Sequence, residues 1–147
     1  MNEEVKQWVG GVCVRNDEIL LIQRINKERI GIQEYFVFPG RDVEGDESLE
    51  DALLEEFGRL SMKVTLSNLI YSKGDEGDDE QEFYYLCNHV LGEPTLNIKS
   101  DEVNIMEENT EQLYLPRWMP LDQLEDLIIY PESVKIIVLE KLESSDF

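Results

Sequence analysis

YFVFPGRDVEGDESLEDALLEEFGRLSM, running from Tyr35 to Met62, is the stretch whose reading decides the fold. Tyr35 to Phe38 reads as a short strand, ended by Pro39-Gly40. Glu44-Gly45-Asp46 reads as a turn. Ser48 is a helix N-cap, and Glu50 and Asp51 complement the dipole in the first turn. The helix is predicted to run to about Leu60. On a wheel of 100° per residue, Leu49, Leu53, Phe57 and Leu60 form one apolar stripe flanked by Ala52. Glu47, Glu50, Asp51 and Leu54 lie roughly opposite. Glu56 falls inside the stripe, between Ala52 and Leu60. A carboxylate aimed at a core is costly unless paired, hydrogen-bonded or metal-bound. Such burial disfavours the ionised form, which suits a general base; the structural alternative is that the helix end rolls Glu56 to the core edge. Glu55 and Arg59 form an i, i+4 pair in the favourable order, worth ~0.3–0.5 kcal/mol, which engages Arg59 away from any phosphate.

Outward from this segment, Trp8 to Arg15 and Glu18 to Gln23 read as strands joined by an Asn16-Asp17 hairpin turn. Residues 24–33 are polar and read as a loop. Val64 to Ser72 and Phe83 to Leu91 read as strands, with the charged connection Lys73 to Glu82 between them; that connection reads as a solvated hairpin loop. Tyr114 to Met119 reads as extended and Leu121 to Leu127 as a short helix. A last helix has Pro131 in its first turn. Strands on both sides of a central helix predict an α/β (α+β) fold, a mixed sheet sandwiched between helices.

The 147 residues are expected to form a single domain, residues 1–147. No apolar run approaches a bilayer span, and MNEEVKQW is no signal peptide, so a cytoplasmic location without membrane contact is expected. Cys13 and Cys87 sit in apolar stretches and read as buried free thiols. Thirty-three acidic residues against 13 basic ones give a net charge of −20. That charge repels a nucleic-acid backbone, so duplex binding is not expected. An anionic ligand would need divalent cations or a local basic patch. Arg24, Lys27, Arg29 and Arg41 are candidates for such a patch, and a solvated loop with scattered charges is the alternative. Single His89 leaves no His-based metal cluster and reads as structural.

The segment resembles the signature of the Nudix hydrolases, G-x5-E-x7-R-E-U-x-E-E-x-G-U, where U is bulky and apolar. Aligned without gaps, Arg41 stands at the first Gly, just after Gly40. Glu47 and Glu56 match family acids and Phe57 the apolar position. Glu55 replaces the Arg, Arg59 and Leu60 replace the Glu pair, and Met62 replaces the final Gly. A second register, with four helix residues missing, aligns Glu55-Glu56-Phe57-Gly58 with E-E-x-G; Ala52, Leu53 and Phe57 favour the ungapped one. The flanks extend the resemblance over nearly the whole chain: the preceding hairpin, Gly92-Glu93-Pro94, Tyr114-Leu115-Pro116-Arg117-Trp118, Leu121 to Leu124 and Pro131-Glu132.

The resemblance implies a Nudix fold and metal-dependent hydrolysis of a nucleoside diphosphate linked to another moiety, with Mg²⁺ or Mn²⁺ as cofactor. It implies Gly40, Glu47, Glu55 and Glu56 as metal ligands, Glu56 and Glu102 as catalytic acids or bases, with Glu107 second to Glu102. Arg24, Arg29 and Arg41 would hold a nucleotide-type substrate. Hard cations want several oxygens at about 2.1 Å, so exchanging two carboxylates for a guanidinium and a leucine weakens the implied activity. The alternative expectations are an inactive Nudix-fold module that binds a nucleotide or a protein partner, and an acidic interaction protein. A homodimer is compatible with the sequence but unmarked in it.

Overall fold

The computed structural model describes residues 6–26, 34–74, 79–94 and 112–144. Among these residues, eight strands form one mixed sheet. β1 (Lys6–Arg15) and β2 (Glu18–Asn26) are joined by the two-residue turn read from the sequence, with Asn16 at φ 50°. Asparagine tolerates that left-handed backbone. β3 (Glu34–Val37) and β4 (Gly40–Asp42) follow, then the helix α1 (Leu49–Arg59). β5 (Lys63–Lys73) and β6 (Glu80–Leu91) form an antiparallel pair. β7 (Gln112–Pro120), a 3₁₀ turn (Leu121–Asp126), β8 (Ile129–Tyr130) and helix α2 (Glu132–Ser144) complete the order. Among the described residues no helix is long and apolar enough to cross a membrane.

The sheet forks. β1 and β2 pair only at Val14–Ile19 and Arg15–Glu18, then part. β1 continues beside β6 in parallel and beside β4 at Trp8 to Gly10. β2 continues between β7 and β3. The chain crosses the gap from β3 to β4 at Phe38-Pro39. Phe38 is buried there, and the Gly11 amide donates to the Pro39 carbonyl at 2.9 Å.

Among the described residues, each face of the sheet carries one core and one helix. Val9, Cys13, Leu20, Val64 and Cys87 pack with Ala52, Leu53, Phe57 and Leu60 of α1. Val12, Ile19, Leu21, Phe36, Phe38 and Tyr84 pack with Val134 and Val138 of α2. The apolar stripe of α1 thus faces the sheet as its periodicity predicts, with Leu49 partly buried. Ser48 caps the helix through Oγ, which accepts from the Asp51 amide at 3.0 Å. At the far end Ser61, at φ 64°, closes a Schellman motif in which the Met62 amide donates to Phe57 O and the Ser61 amide to Gly58 O, both at 2.9 Å.

Two loop readings need correction, and two strands were not foreseen. Glu80 to Glu82, read as part of a loop, belong to β6. Arg24 is not in a loop: β2 runs on to Asn26 because β7 pairs with it over its whole length. Strands β4 and β8 were not expected from the sequence, being three and two residues long. Both exist through pairing partners distant in sequence, against which local propensity carries little weight.

Cys13 and Cys87 are buried free thiols, as expected. Burial pushes the Cys13 thiol up to about 12, and burial pushes Cys87 up as well. The reactive species is the thiolate, so alkylation of the native protein is expected to lag far behind that of the denatured chain at pH 8. The Cys13 pKa is raised on folding, so its contribution to stability is whole below pH 9 and is lost as pH rises through about 12. Equilibrium unfolding followed across pH 8 to 12 checks this.

Candidate functional site around the first helix

Main-chain pairing fixes where this region begins. β4 lies antiparallel to β1, with Gly40 opposite Gly10 and Arg41 opposite Val9. Gly40 is required by close approach: a Cβ there would meet the Trp8 ring at 2.3 Å and the Val9 carbonyl oxygen at 2.5 Å. The backbone oxygen cannot swing aside. Gly40→Ala is therefore expected to destabilise the fold by about 1–3 kcal/mol, the range for overpacking, as read from a thermal or denaturant melt.

After β4 the chain turns at Glu44 to Glu47, with Gly45 at φ 56°. Glu47 closes this turn. Its amide donates to Glu44 O at 3.1 Å, and its Oε1 accepts from the Glu44 amide at 3.0 Å. The same Oε1 accepts from Arg41 Nη2 at 3.0 Å. Arg41 Nη1 lies 3.6 Å from Glu55 Oε2. Because the Glu55 side chain is 68% exposed, that second contact adds little stability. Arg41 thus ties the turn to the exposed side of α1.

The next residue of α1, Glu56, is buried, with only 6% of its side chain exposed. Arg59 Nε donates to Glu56 Oε1 at 3.0 Å, and Arg59 Nη2 donates to Glu56 Oε2. This is the two-pronged geometry in which a guanidinium fits a carboxylate best. The expected Glu55–Arg59 pairing is corrected here: Arg59 binds the acid three residues back, and Glu55 faces Arg41. The physical reason was legible in the sequence. A buried acid needs a partner more than an exposed one does, and positions three apart on a helix are neighbours as close as those four apart.

Arg24 stands elsewhere, on β2, with its guanidinium 5.7 Å from the centre of the Tyr35 ring on the facing strand. Leu20 and Ile22 of β2 face α1, so strand alternation puts Arg24 on that same face. Arg29, Lys27, Glu102 and Glu107 lie outside the described residues. His89 has the structural role expected, with Nε2 2.7 Å from Gly92 O.

No protein-family model matches the chain, and no curated protein does. Solved structures do. A NUDIX hydrolase from Nitrosomonas europaea superposes with a TM-score of 0.66 at 12% identity, over 97% of this chain and 75% of that one. This chain has the Nudix fold. A NUDIX-family hydrolase from Clostridium perfringens superposes at 0.61 with 19% identity, over 97% of this chain and 98% of that one. An ADP-ribose pyrophosphatase from Streptococcus suis 89-1591 gives 0.63 at 18% identity, over 92% and 90%. At such identities the likeness establishes the Nudix fold and leaves activity to be argued from the site.

In this Nudix-fold chain the carboxylates that the Nudix signature (the Nudix box) would offer a metal are divided between two guanidinium groups. Glu47 and Glu55 face Arg41, and both Glu56 oxygens face Arg59. Among the described residues no three His, Cys, Asp or Glu side chains are grouped to hold a metal ion. A guanidinium already occupies the space beside the buried carboxylate. The described residues therefore do not fit a cluster of divalent cations.

Proposed function

We propose that this chain is a Nudix-fold binding domain that recognises a nucleotide-type ligand without metal-dependent turnover. The observation that carries this reading is the fork of Arg59 on Glu56. A divalent cation stabilises charge on a diphosphate and activates water. Here the helix supplies its own cation, which neutralises Glu56 but cannot coordinate and activate a water as a Lewis acid does. Arg24 and Tyr35 offer a guanidinium and an aromatic ring on the face of α1, a pairing suited to a phosphate and a base.

Calorimetry with ADP-ribose, a nucleotide sugar and a dinucleotide polyphosphate tests the proposal. Binding is expected to have the same affinity in Mn²⁺ and in excess EDTA, to weaken about tenfold in Arg24→Ala, and to release no phosphorylated product.

A second reading, metal-dependent hydrolysis of a nucleoside diphosphate linked to another moiety, is favoured by Glu56 itself. The box retains its inward acid, and the fold matches an ADP-ribose pyrophosphatase along most of both chains. Product release that requires Mg²⁺ or Mn²⁺ and disappears in Glu56→Gln would establish this reading and overturn the first.

A further inference from the structure

On the sheet face opposite α1, a hollow of about 280 Å³ opens at the start of β1. Its walls include Lys6, Trp8, Asp42, Glu80, Glu82 and Tyr84. Trp8 and Tyr84 belong to the α2 side of the sheet, whereas Val9 and Phe83 beside them face α1. The hollow is therefore separate from the Glu56–Arg59 region. We propose that it binds a small organic cation, a quaternary or tertiary ammonium compound.

Three features carry this assignment. The first is the aromatic wall. The half-buried Trp8 ring borders the hollow, and the buried Tyr84 ring lies behind it, 5.2 Å away between centres with the planes at 48°. A cation over the indole face is attracted by its ring quadrupole. The second is charge. Among the described lining residues, the carboxylates of Asp42, Glu80 and Glu82 stand against one ammonium, that of Lys6, which disfavours a phosphate and favours a cation. The third is preorganisation. The indole lies against the backbone of Gly10 and Gly40, where any Cβ would come within 2.4 Å of its ring. Phe38 and Tyr71 back the Tyr84 ring, each with its centre 6.0 Å away. The Tyr84 hydroxyl donates to Glu82 Oε1 at 3.3 Å, which keeps that carboxylate along the wall, and a Gln7–Gln81 side-chain bond at 3.0 Å crosses the two strands at the rim. Rings held in place by the fold lose little freedom when a ligand arrives.

The size of the hollow limits the ligand to a few heavy atoms beyond the charged centre. Lys6 is exposed at its edge and competes as a resident cation. Its removal should strengthen binding, an effect that a merely greasy depression would not produce.

The test uses choline and its uncharged isostere 3,3-dimethyl-1-butanol, titrated into the full chain and followed by NMR at the two tryptophan indoles. Choline is expected to bind saturably at millimolar concentration and about tenfold more tightly than the alcohol. The Trp8 indole signal should move and that of Trp118 should not. Affinity should fall severalfold in Asp42→Asn/Glu82→Gln and rise in Lys6→Ala, substitutions at the rim that leave the core intact. Trp8→Phe should weaken binding, because its ring is a poorer cation partner. Absence of saturable choline binding, equal binding of the two probes, or an unchanged affinity in Asp42→Asn/Glu82→Gln would each overturn the proposal. Choline binding is expected to survive Arg24→Ala and Glu56→Gln, so its outcome is read separately from that of the nucleotide-type ligand.

Discussion

Arg59→Ala is expected to lower folding stability by about 3 kcal/mol, the lower end of the range for breaking a buried ion pair. The loss comes from Glu56, which would keep its buried position and lose its two-pronged partner. It should show in urea or guanidinium melts as a lower midpoint with an unchanged slope. Arg59→Lys should recover only part of it, since an ammonium cannot reproduce the fork. Glu56→Leu/Arg59→Leu should be close to neutral, because removing both charges together removes the desolvation cost as well. If Arg59→Ala costs less than about 0.5 kcal/mol, the pair behaves like a solvent-exposed one and the neutralised-acid account of this helix fails.

The second large effect is expected at Phe57. Its side chain is fully buried between α1 and β1. It packs so closely on Gly11 that a Cβ there would lie 2.8 Å from the ring. Glycine at 11 and phenylalanine at 57 thus make one complementary contact, the small residue on the strand admitting the large one on the helix. Phe57→Ala is expected to destabilise by about 3–5 kcal/mol, combining lost transfer energy with the cavity left behind. For a chain of this size that corresponds to a fall in Tm of roughly 10 °C or more. Phe57→Leu should cost substantially less. Equal losses in the two variants would mean that the sheet and helix collapse around the gap, contrary to the rigid contact described here.

Much of the architecture could be read from patterns of short range. The turn at Asn16-Asp17, the Ser48 cap and the 3.6-residue stripe from Leu53 to Leu60 each carry their signal within a few residues. Glu56 was legible as an inward acid because it breaks that stripe. What escaped was set by contacts far along the chain. Gly40 to Asp42 forms a strand only because Trp8 to Gly10 lies beside it, and Arg24 is a strand residue because β7 lies beside it. The partner of Arg59 was assigned by the rule for exposed helix pairs, whereas burial of Glu56 decides the matter. The hollow beside Trp8 and Tyr84 was not legible either. The parallel pairing of β1 with β6, between segments far apart in the chain, is what brings Lys6 beside Glu80 and Trp8 beside Glu82.

The fork in the sheet has a mechanical consequence. Glu34 to Asp42 fills the notch between the diverging arms, bonded to β2 on one side and to β1 on the other. This segment cannot shift without prying the two arms apart, so it acts as an anvil. The turn from Glu44 to Glu47 therefore leaves from a fixed point, and Arg41, the residue that grips it, is itself seated on that anvil.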